Sequence, residues 1–533
     1  MARSINVLKS TAVVGAFTML SRVLGLLREM LQSRCIGADV EQSAFALAFA
    51  LPNLARKLFG EGALTAAFVP VFKSEVERDS VAAAAKLARA VMTMVMLMLG
   101  AIVLLSYGGL EVAVHQVERI VADGPDQAVH MYRLTLTARL VRTLLPYMIF
   151  ICGAAFGMGV LNAMGRFKAS SFMPCLLNLV WIGVLAALSF FPGMPCERRV
   201  WWVSVAILAA GAAQMAFMMW RMSRAGVSPL PRFRGWRDSK VVLVWKNTGI
   251  AALGAGAVQL NYMLDTFLAQ YASGWAAGVI GYAERLMDLP LGVVGAAFGT
   301  VLLPAYAERF GKNDFDGARS VFGSSTRNMM FVMVPAAVGL GVLAPECVSV
   351  IYRGGAFDAA AVTRVARAVA CYACGLAFFG LNKSLVPWFQ AQNDMKTPLR
   401  VSVSMVFLNA VLNVLAVLKL PVEWRHVGLA ASTVFCSGVS VAVLAVVARR
   451  RNGRMGWRRL APDFAKIAFA SAVMGAALLA LKRALPFSAR PVLTLAVEMA
   501  AGGAVYFAVV FALLPDMRNP LRTLRRRRKG ASS

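Results

Sequence analysis

The sequence predicts an all-α protein that crosses a membrane many times. Hydrophobic residues make up 59% of the 533 residues, and the mean hydropathy is +0.66. Charged residues make up only 15% of the chain, whereas a soluble domain has about 25%. Apolar runs long enough to cross a bilayer recur along the whole sequence, so we expect about fourteen transmembrane helices.

These apolar runs set the predicted order of helices. Several contain Gly and Pro, which transmembrane helices tolerate. In chain order the predicted spans lie roughly at 10–36, 43–72, 87–110, 134–161, 170–191, 200–220, 241–271, 276–306, 328–351, 366–391, 399–419, 427–448, 464–481 and 492–514.

The loop charges predict the orientation. Lys and Arg concentrate in alternate loops, for example around Arg166 and Lys168, and short cytoplasmic loops are enriched in these residues. Both termini are therefore expected in the cytoplasm, although Lys482 falls on the predicted outer side. The net charge of +30 follows from these loops and from the basic tail, so membrane lipids, and not nucleic acid, are the expected partners.

A faint internal repeat divides the predicted spans. Asn162-Ala163 followed by Lys168 resembles Gln390-Ala391 followed by Lys396 at the same spacing. The offset is an even number of spans, which predicts two six-helix lobes in parallel orientation with a substrate site between them. The expected domains are 1–222, 223–450, and 451–533, the last holding two additional helices and the basic tail.

The first predicted span contains Arg22, Arg28 and Glu29. An arginine at the centre of a bilayer costs about 2.5–3.5 kcal/mol, so such residues usually face a bundle interior or a watery cavity. The alternative is that one arginine extends along the helix to the interface. The two arginines lie about 240° apart on a regular helix, so both reach one cavity only if the helix presents a wide face or bends near Gly25.

Two further spans carry charged residues. The second holds Asn53, Arg56, Lys57 and Glu61, between Pro52 and two glycines that should weaken the helix, and the eighth holds Glu284, Arg285 and Asp288. Four arginines exposed to lipid would cost roughly 10–14 kcal/mol, which predicts that they share a hydrated, cationic cavity. Such a cavity suits phosphate or carboxylate. The alternative is a set of purely structural ion pairs.

The sequence contains no signature of an enzyme. It lacks a phosphate-binding loop of the G-x-x-x-x-G-K-[S/T] type, a catalytic triad and a cluster of metal ligands. Cys371 and Cys374 form an isolated C-x-x-C pair in an apolar run, which favours core thiols over zinc. No cofactor and no metal are therefore expected, and the predicted activity is transport.

Four motifs resemble the peptidoglycan lipid II flippase family (MurJ, formerly MviN), of the multidrug/oligosaccharidyl-lipid/polysaccharide (MOP) flippase superfamily. They are S-R-V-L-G-L-L-R-E (21–29), L-P-N-L-A-R-K-L-F-G-E-G-A-L (51–64), F-V-P-V-F (68–72) and Y-A-E-R-L-M-D-L-P-L-G (282–292). The resemblance covers essentially the whole chain. It implies translocation of undecaprenyl-pyrophosphate-linked lipid II from the inner to the outer leaflet of the bacterial cytoplasmic membrane by alternating access, with the cell-wall synthesis machinery as a further expected partner.

The resemblance also implies roles for individual residues. The substrate-binding set is expected to be Arg22, Arg28, Asn53, Arg56 and Arg285, and the gating or ion-coupling set Gly25, Glu29, Glu61, Glu284 and Asp288. The last two predicted helices are expected to form a groove for the polyprenyl tail.

The chain departs from the family pattern at two positions, Glu29 and Ser43, where Asp is common. Three alternatives remain open from sequence: a flippase for another lipid-linked oligosaccharide, a cation-coupled multidrug exporter, and a non-transporting scaffold for cell-wall assembly.

Overall fold

The computed structural model describes residues 2–60, 63–121, 127–233, 235, 237–299, 301–453, 455–484 and 490–515. Within these ranges the chain forms eighteen α-helices and one π-helical segment, and the only β-type pairing is an isolated bridge between Gly354 and Phe357. The prediction of an all-α protein is confirmed.

The helices follow each other with short connections. Their bounds are α1 Ala2–Ile36, α2 Val40–Ala55, the π-helical segment Arg56–Gly60, α3 Ala63–Arg78, α4 Val81–Val121, α5 Gln127–Leu144, α6 Tyr147–Ala163, α7 Phe167–Ser189, α8 Cys196–Ser223, α9 Ser239–Ala272, α10 Ala276–Gly299, α11 Leu302–Gly311, α12 Phe315–Val342, α13 Ala344–Tyr352, α14 Ala359–Gln390, α15 Lys396–Lys419, α16 Val422–Asn452, α17 Trp457–Ala484 and α18 Pro491–Leu513.

Each predicted span corresponds to one helix or to consecutive helices. The second, fourth, eighth and ninth spans are divided, and the other ten are single helices. The divisions have local causes: Pro146 lies between α5 and α6, and α13 begins with Pro345 at its first turn, after a bend of 76° from α12. Proline lacks the amide hydrogen that a continuous helix needs, so the chain turns there.

Nine helical stretches of the described chain are long and apolar enough to cross a membrane, or ten if α12 and α13 together make one span. The predicted spans outside that set are the first, second, seventh and eighth. In the sequence the first, second and eighth of these spans carry the acidic and basic residues of the candidate site, and the seventh carries Asp265. The protein is a multi-pass membrane protein. The spans that carry the charges are less apolar, or hold more charged residues, than the other spans.

The chain divides into two compact units. Unit 1 comprises residues 1–278 and 354–358, and unit 2 comprises 279–353 and 359–533. In unit 1, α1 packs along α7, α2 on α5, α3 on α9 and α6 on α8. In unit 2, α14 packs on α12 and α16, and α17 packs on both α12 and α18. The lobe boundaries expected at 222 and 450 remain a prediction, because compactness does not define a sequence repeat.

The short loop at 354–358 belongs to unit 1 through its contact with the end of α1. The Ala356 amide donates to the Arg34 carbonyl oxygen at 2.9 Å. Gly355 has φ +56°, and a Cβ atom there would lie 2.2 Å from that same oxygen. Phe357 is buried beside them, at 1% exposure. Only glycine permits this close approach of two backbones.

Candidate functional site

Arg28 is fixed to two helices of unit 1. Its side chain is 13% exposed and forms an ion pair with Glu29, the next residue of α1. Its Nη1 donates to Oδ1 of Asn178 on α7 at 3.1 Å, and its guanidinium lies 4.4 Å from the ring centroid of Trp181. A planar guanidinium suits both contacts, since it donates in its plane and stacks through its face. The sequence-predicted arginine therefore has a defined position.

An aromatic platform supports this arginine. Trp181 is 2% exposed, and the rings of Phe45 and Phe49 each contact it edge to face with centroids 5.8 Å away. The Asn178 amide also donates to the Ser21 carbonyl oxygen at 3.1 Å, which joins α7 to α1 a second time. A cation–π contact contributes about 0.5–2 kcal/mol, depending on how far the cation is desolvated.

Sequence reasoning missed Asn178 and Trp181. Both lie in the fifth predicted span, where an amide and an indole inside an otherwise apolar run were the available signal. Their importance comes from their pairing with Arg28, which is 150 residues away in sequence. Contacts between residues so far apart in the sequence leave no local sequence pattern that would predict them.

One hydrogen-bond donor of Arg28 has no acceptor among the described residues. Its Nε atom is buried and has no hydrogen-bond partner within the described residues. Buried donors are almost always satisfied, and an exception requires an explanation. An anionic oxygen brought to this face of α1 by a conformational change would supply the missing acceptor.

Arg22 differs from Arg28 although both lie on α1. Arg22 is exposed, as are its neighbours Met19 and Val23. The helix is continuous through Gly25, where an added Cβ would meet the Asn178 amide nitrogen at an ordinary 3.8 Å. Glycine is thus not required there by space, and its role as a hinge stays a prediction.

The second charged span is interrupted where the sequence predicted weakness. The π-helical segment begins at Arg56, four residues after Pro52. Asn53 Oδ1 accepts from Arg56 Nη2 at 2.8 Å and from Nε at 3.2 Å, so the two predicted residues are brought together. Short π-helical segments occur frequently at functional sites. Glu61 lies outside the described residues.

Lys57 of the same segment faces α9. Its Nζ lies 5.2 Å from the ring centroid of Tyr262. The residue before Tyr262, Asn261, donates to Asp265 at 3.0 Å, so these two polar residues of the seventh predicted span are paired with each other. Lys57 thus lies against an aromatic ring and Arg56 against an amide.

Ser43 occupies the position at which the resembled family commonly has Asp. It is fully buried, and its Oγ accepts from the Gly278 amide at 3.0 Å, while its carbonyl oxygen accepts from Gln270 Nε2 at 2.8 Å. The neutral hydroxyl satisfies the Gly278 amide, and the backbone carbonyl oxygen satisfies Gln270. An ionised carboxylate there would have to be desolvated.

In unit 2 the predicted residues lie on α10. Glu284 is half-buried and accepts from the Tyr372 hydroxyl at 3.5 Å, whereas Arg285 and Asp288 are exposed. Sequence reasoning missed Lys383 on α14, whose Nζ lies 3.5 Å from the position of a Cβ added to Gly295 of α10. The signal was a lysine in the tenth apolar span.

In unit 1, Arg28, Arg56 and Lys57 are basic side chains that amides, aromatic rings and one carboxylate contact. In the described parts of units 1 and 2, no group of three or more His, Cys, Asp or Glu side chains is arranged to hold a metal ion. The chemistry that this arrangement supports is recognition of an anion by oriented guanidinium groups.

The chain is similar to known proteins along almost its whole length. The family model described as lipid II flippase MurJ matches residues 32–495. The probable lipid II flippase MurJ of Rhizobium tropici is 32% identical over 99% of this chain and 98% of its own length.

Two solved structures share the fold. A lipid II flippase MurJ in an inward closed conformation is similar with a TM-score of 0.76 at 21% identity, covering 95% of this chain and 99% of its own. An inward-facing multidrug resistance transporter of the MATE family, in the MOP superfamily, is similar with a TM-score of 0.66 at 13% identity, covering 84% and 99%. The chain belongs to the lipid II flippase MurJ family.

Proposed function

We propose that this protein is a lipid II flippase of the bacterial cytoplasmic membrane. Its substrate is the undecaprenyl-pyrophosphate-linked disaccharide-pentapeptide, which it moves from the inner to the outer leaflet. Family membership and the named activity of the relatives support the substrate. Its activity is transport, and membrane lipids surround the protein in the cell.

The observation that carries this proposal is the anchoring of Arg28. A guanidinium inside an apolar helix is costly, and here Asn178, Glu29 and Trp181 hold it in one orientation. A pyrophosphate offers the oxygens that a planar guanidinium binds in pairs. Pre-orientation lowers the entropic cost of binding, because the side chain does not have to be ordered when the substrate arrives.

The other predicted residues extend this role. We assign Arg22, Arg56 and Arg285 to the anionic headgroup and Asn53 to the orientation of Arg56. Glu29, Glu61, Glu284 and Asp288 are assigned to gating or ion coupling, with Gly25 as a hinge. Glu29 suits gating because a carboxylate that releases Arg28 when the substrate arrives exchanges one ion pair for another.

The proposed mechanism is alternating access. The cationic cavity faces the cytoplasm, captures the headgroup and then opens to the other side, while the polyprenyl tail stays in the bilayer. The basic loops support a cytoplasmic position for both termini. The cell-wall synthesis machinery that uses lipid II on the outer side is the proposed functional partner.

A leaflet-resolved assay of lipid II during conditional depletion tests the proposal. Arg28→Ala and Arg285→Ala should insert normally and lose flipping by roughly tenfold to a hundredfold, the effect of one charge-assisted hydrogen bond. Arg142→Ala is the matched control, because Arg142 forms an exposed pair with Glu111. If lipid II reaches the outer leaflet at the normal rate in both variants, the assignment is wrong. Transport of another lipid-linked sugar in place of lipid II would overturn the substrate.

A further inference from the structure

A second charged cluster lies in unit 2, where the bend between α12 and α13 meets α17 and α18. Lys482, near the end of α17, lies 2.7 Å from Oε1 of Glu346 on α13, and its Nζ donates to the Val342 carbonyl oxygen at 3.1 Å. Glu498 of α18 is 1% exposed and Glu346 is 8% exposed. Both glutamates are thus enclosed by protein, in a segment that has no part in the site described above.

The cluster is not neutral if all three side chains are ionised. α18 packs on α13 and α17, which carry Glu346 and Lys482, and the charge of Glu498 interacts with the charges of both. Among the described residues, the thiol of Cys347 on α13 is the other titratable group that interacts with these three side chains. Two carboxylates and one ammonium group give the cluster one net negative charge. The Oε2 atoms of both glutamates are buried without a hydrogen-bond partner among the described residues. A buried net charge with unmet oxygens is strongly unfavourable, so the cluster requires one further positive charge.

A proton suits these two carboxylates better than a metal ion does. Hard metal cations hold about six oxygen ligands. The cluster offers two unmet carboxylate oxygens, while the nearby Val342 carbonyl already accepts from Lys482. A proton needs a single carboxylate oxygen. Glu346 already has an ionic partner, so Glu498 is the residue that takes the proton.

We propose that Glu498 binds an exchangeable proton, in a site that Glu346 and Lys482 complete. Binding forms an O–H bond on Glu498 and makes the cluster neutral, because Glu346 stays ionised against Lys482. Release breaks that bond, passes the proton to water beside Lys482, whose side chain is 25% exposed, and leaves the cluster with one negative charge. The proposal is independent of which substrate the protein carries.

Protonation of this site bears on how α18 is held. α18 packs on α17 and α13, and Glu498 is the acidic side chain of α18 at this junction. The neutral form allows α18 to pack closely there. The ionised form introduces repulsion between Glu498 and Glu346, which weakens the same packing. The junction of these helices is thus expected to loosen as the pH rises.

Dicyclohexylcarbodiimide, an apolar reagent that modifies protonated carboxyl groups, is a direct probe for the purified full-length protein. We expect an adduct on the peptide that contains Glu498, a decline of that adduct as the pH rises, and its absence in Glu498→Gln. The exposed Glu308, which pairs with Lys312, is the internal control and should stay unmodified. In Glu346→Gln, Lys482 is free to pair with Glu498, so labelling should also be lost.

Thermal unfolding as a function of pH gives a second readout. As the pH rises, the wild-type midpoint should fall relative to that of Glu498→Gln, which mimics the protonated form. If Glu498→Gln does not fold, Glu346→Gln serves, because its Glu498 is already ionised. Parallel wild-type and variant curves overturn the proposal, as does labelling that persists in Glu346→Gln. A wild-type midpoint that follows sodium concentration at constant ionic strength, and not pH, would assign the site to sodium and also overturn it.

Discussion

The Arg28 site of unit 1 and the Glu498 cluster of unit 2 place charges in apolar helices by different means. An amide, a carboxylate and an indole face surround the guanidinium of Arg28, while 13% of its side chain stays exposed. Glu498 is enclosed, at 1% exposure, and the two charges that act on it, those of Glu346 and Lys482, already pair with each other. The first arrangement suits a permanent cation, and the second suits a group that can become neutral.

The difference follows from side-chain chemistry. A guanidinium stays ionised at any physiological pH, so a protein that buries it must supply partners. A carboxyl group can instead take up a proton when its partners are insufficient. A different kind of substitution is therefore expected to destabilise each region most.

The largest effect is expected at Trp181. Trp181→Ala removes the ring under Arg28 and leaves a cavity beside Phe45 and Phe49, so the free energy of unfolding should fall by about 3–5 kcal/mol and flipping should be lost. Trp181→Phe keeps an aromatic face and should retain most of both. Denaturant unfolding and the leaflet assay measure the two quantities. Normal transport by a well-expressed Trp181→Ala variant would show that the platform is dispensable.

A smaller effect is expected at Lys482, in the other region. Lys482→Met leaves Glu346 buried without its ionic partner, which should lower the free energy of unfolding by about 3 kcal/mol. Adding Glu346→Gln in the same chain should restore most of this loss, because the orphaned charge is then absent. Unfolding curves of the single and double variants, compared with wild type, measure the coupling. A double variant no more stable than Lys482→Met would contradict the ion pair.

The smallest effect is expected at Asp314, which lies before α12 and outside the membrane spans. Asp314 accepts from the Gly317 amide and from Arg309, both at 2.7 Å, and these bonds hold the pKa of its carboxyl below the ordinary value of 3.8. Its stabilisation is present above that value and is lost as the pH falls through the lower folded-state pKa. Asp314→Asn should slightly lower the thermal midpoint at neutral pH and flatten its decline in acid.

This acid dependence has the opposite sign to that expected for Glu498, whose contribution is lost as the pH rises. Thermal scans of the same protein over the whole pH range distinguish the two regions. If the acid limb of wild type and Asp314→Asn coincide, the helix cap contributes nothing.

The sequence predicted the elements that depend on local pattern. Apolar runs located the helices, and Pro52 with the nearby glycines located the interruption at Arg56. The sequence did not predict contacts between distant residues, because Asn178 and Trp181 acquire their role only when α7 packs on α1. Sequence reasoning also missed Glu498 in the last predicted span, because the charges that act on it lie on α13 and α17 and not on its own helix.

The loop at 354–358 has a consequence for how the protein is made. Ala356, which donates to the Arg34 carbonyl, follows it by roughly 320 residues, so this bond closes one of the longest loops in the chain. During synthesis α1 enters the membrane early, whereas the loop at 354–358 that its end contacts is made much later. Truncated chains that stop before residue 354 are thus expected to expose the end of α1 to proteases and chaperones until the loop arrives.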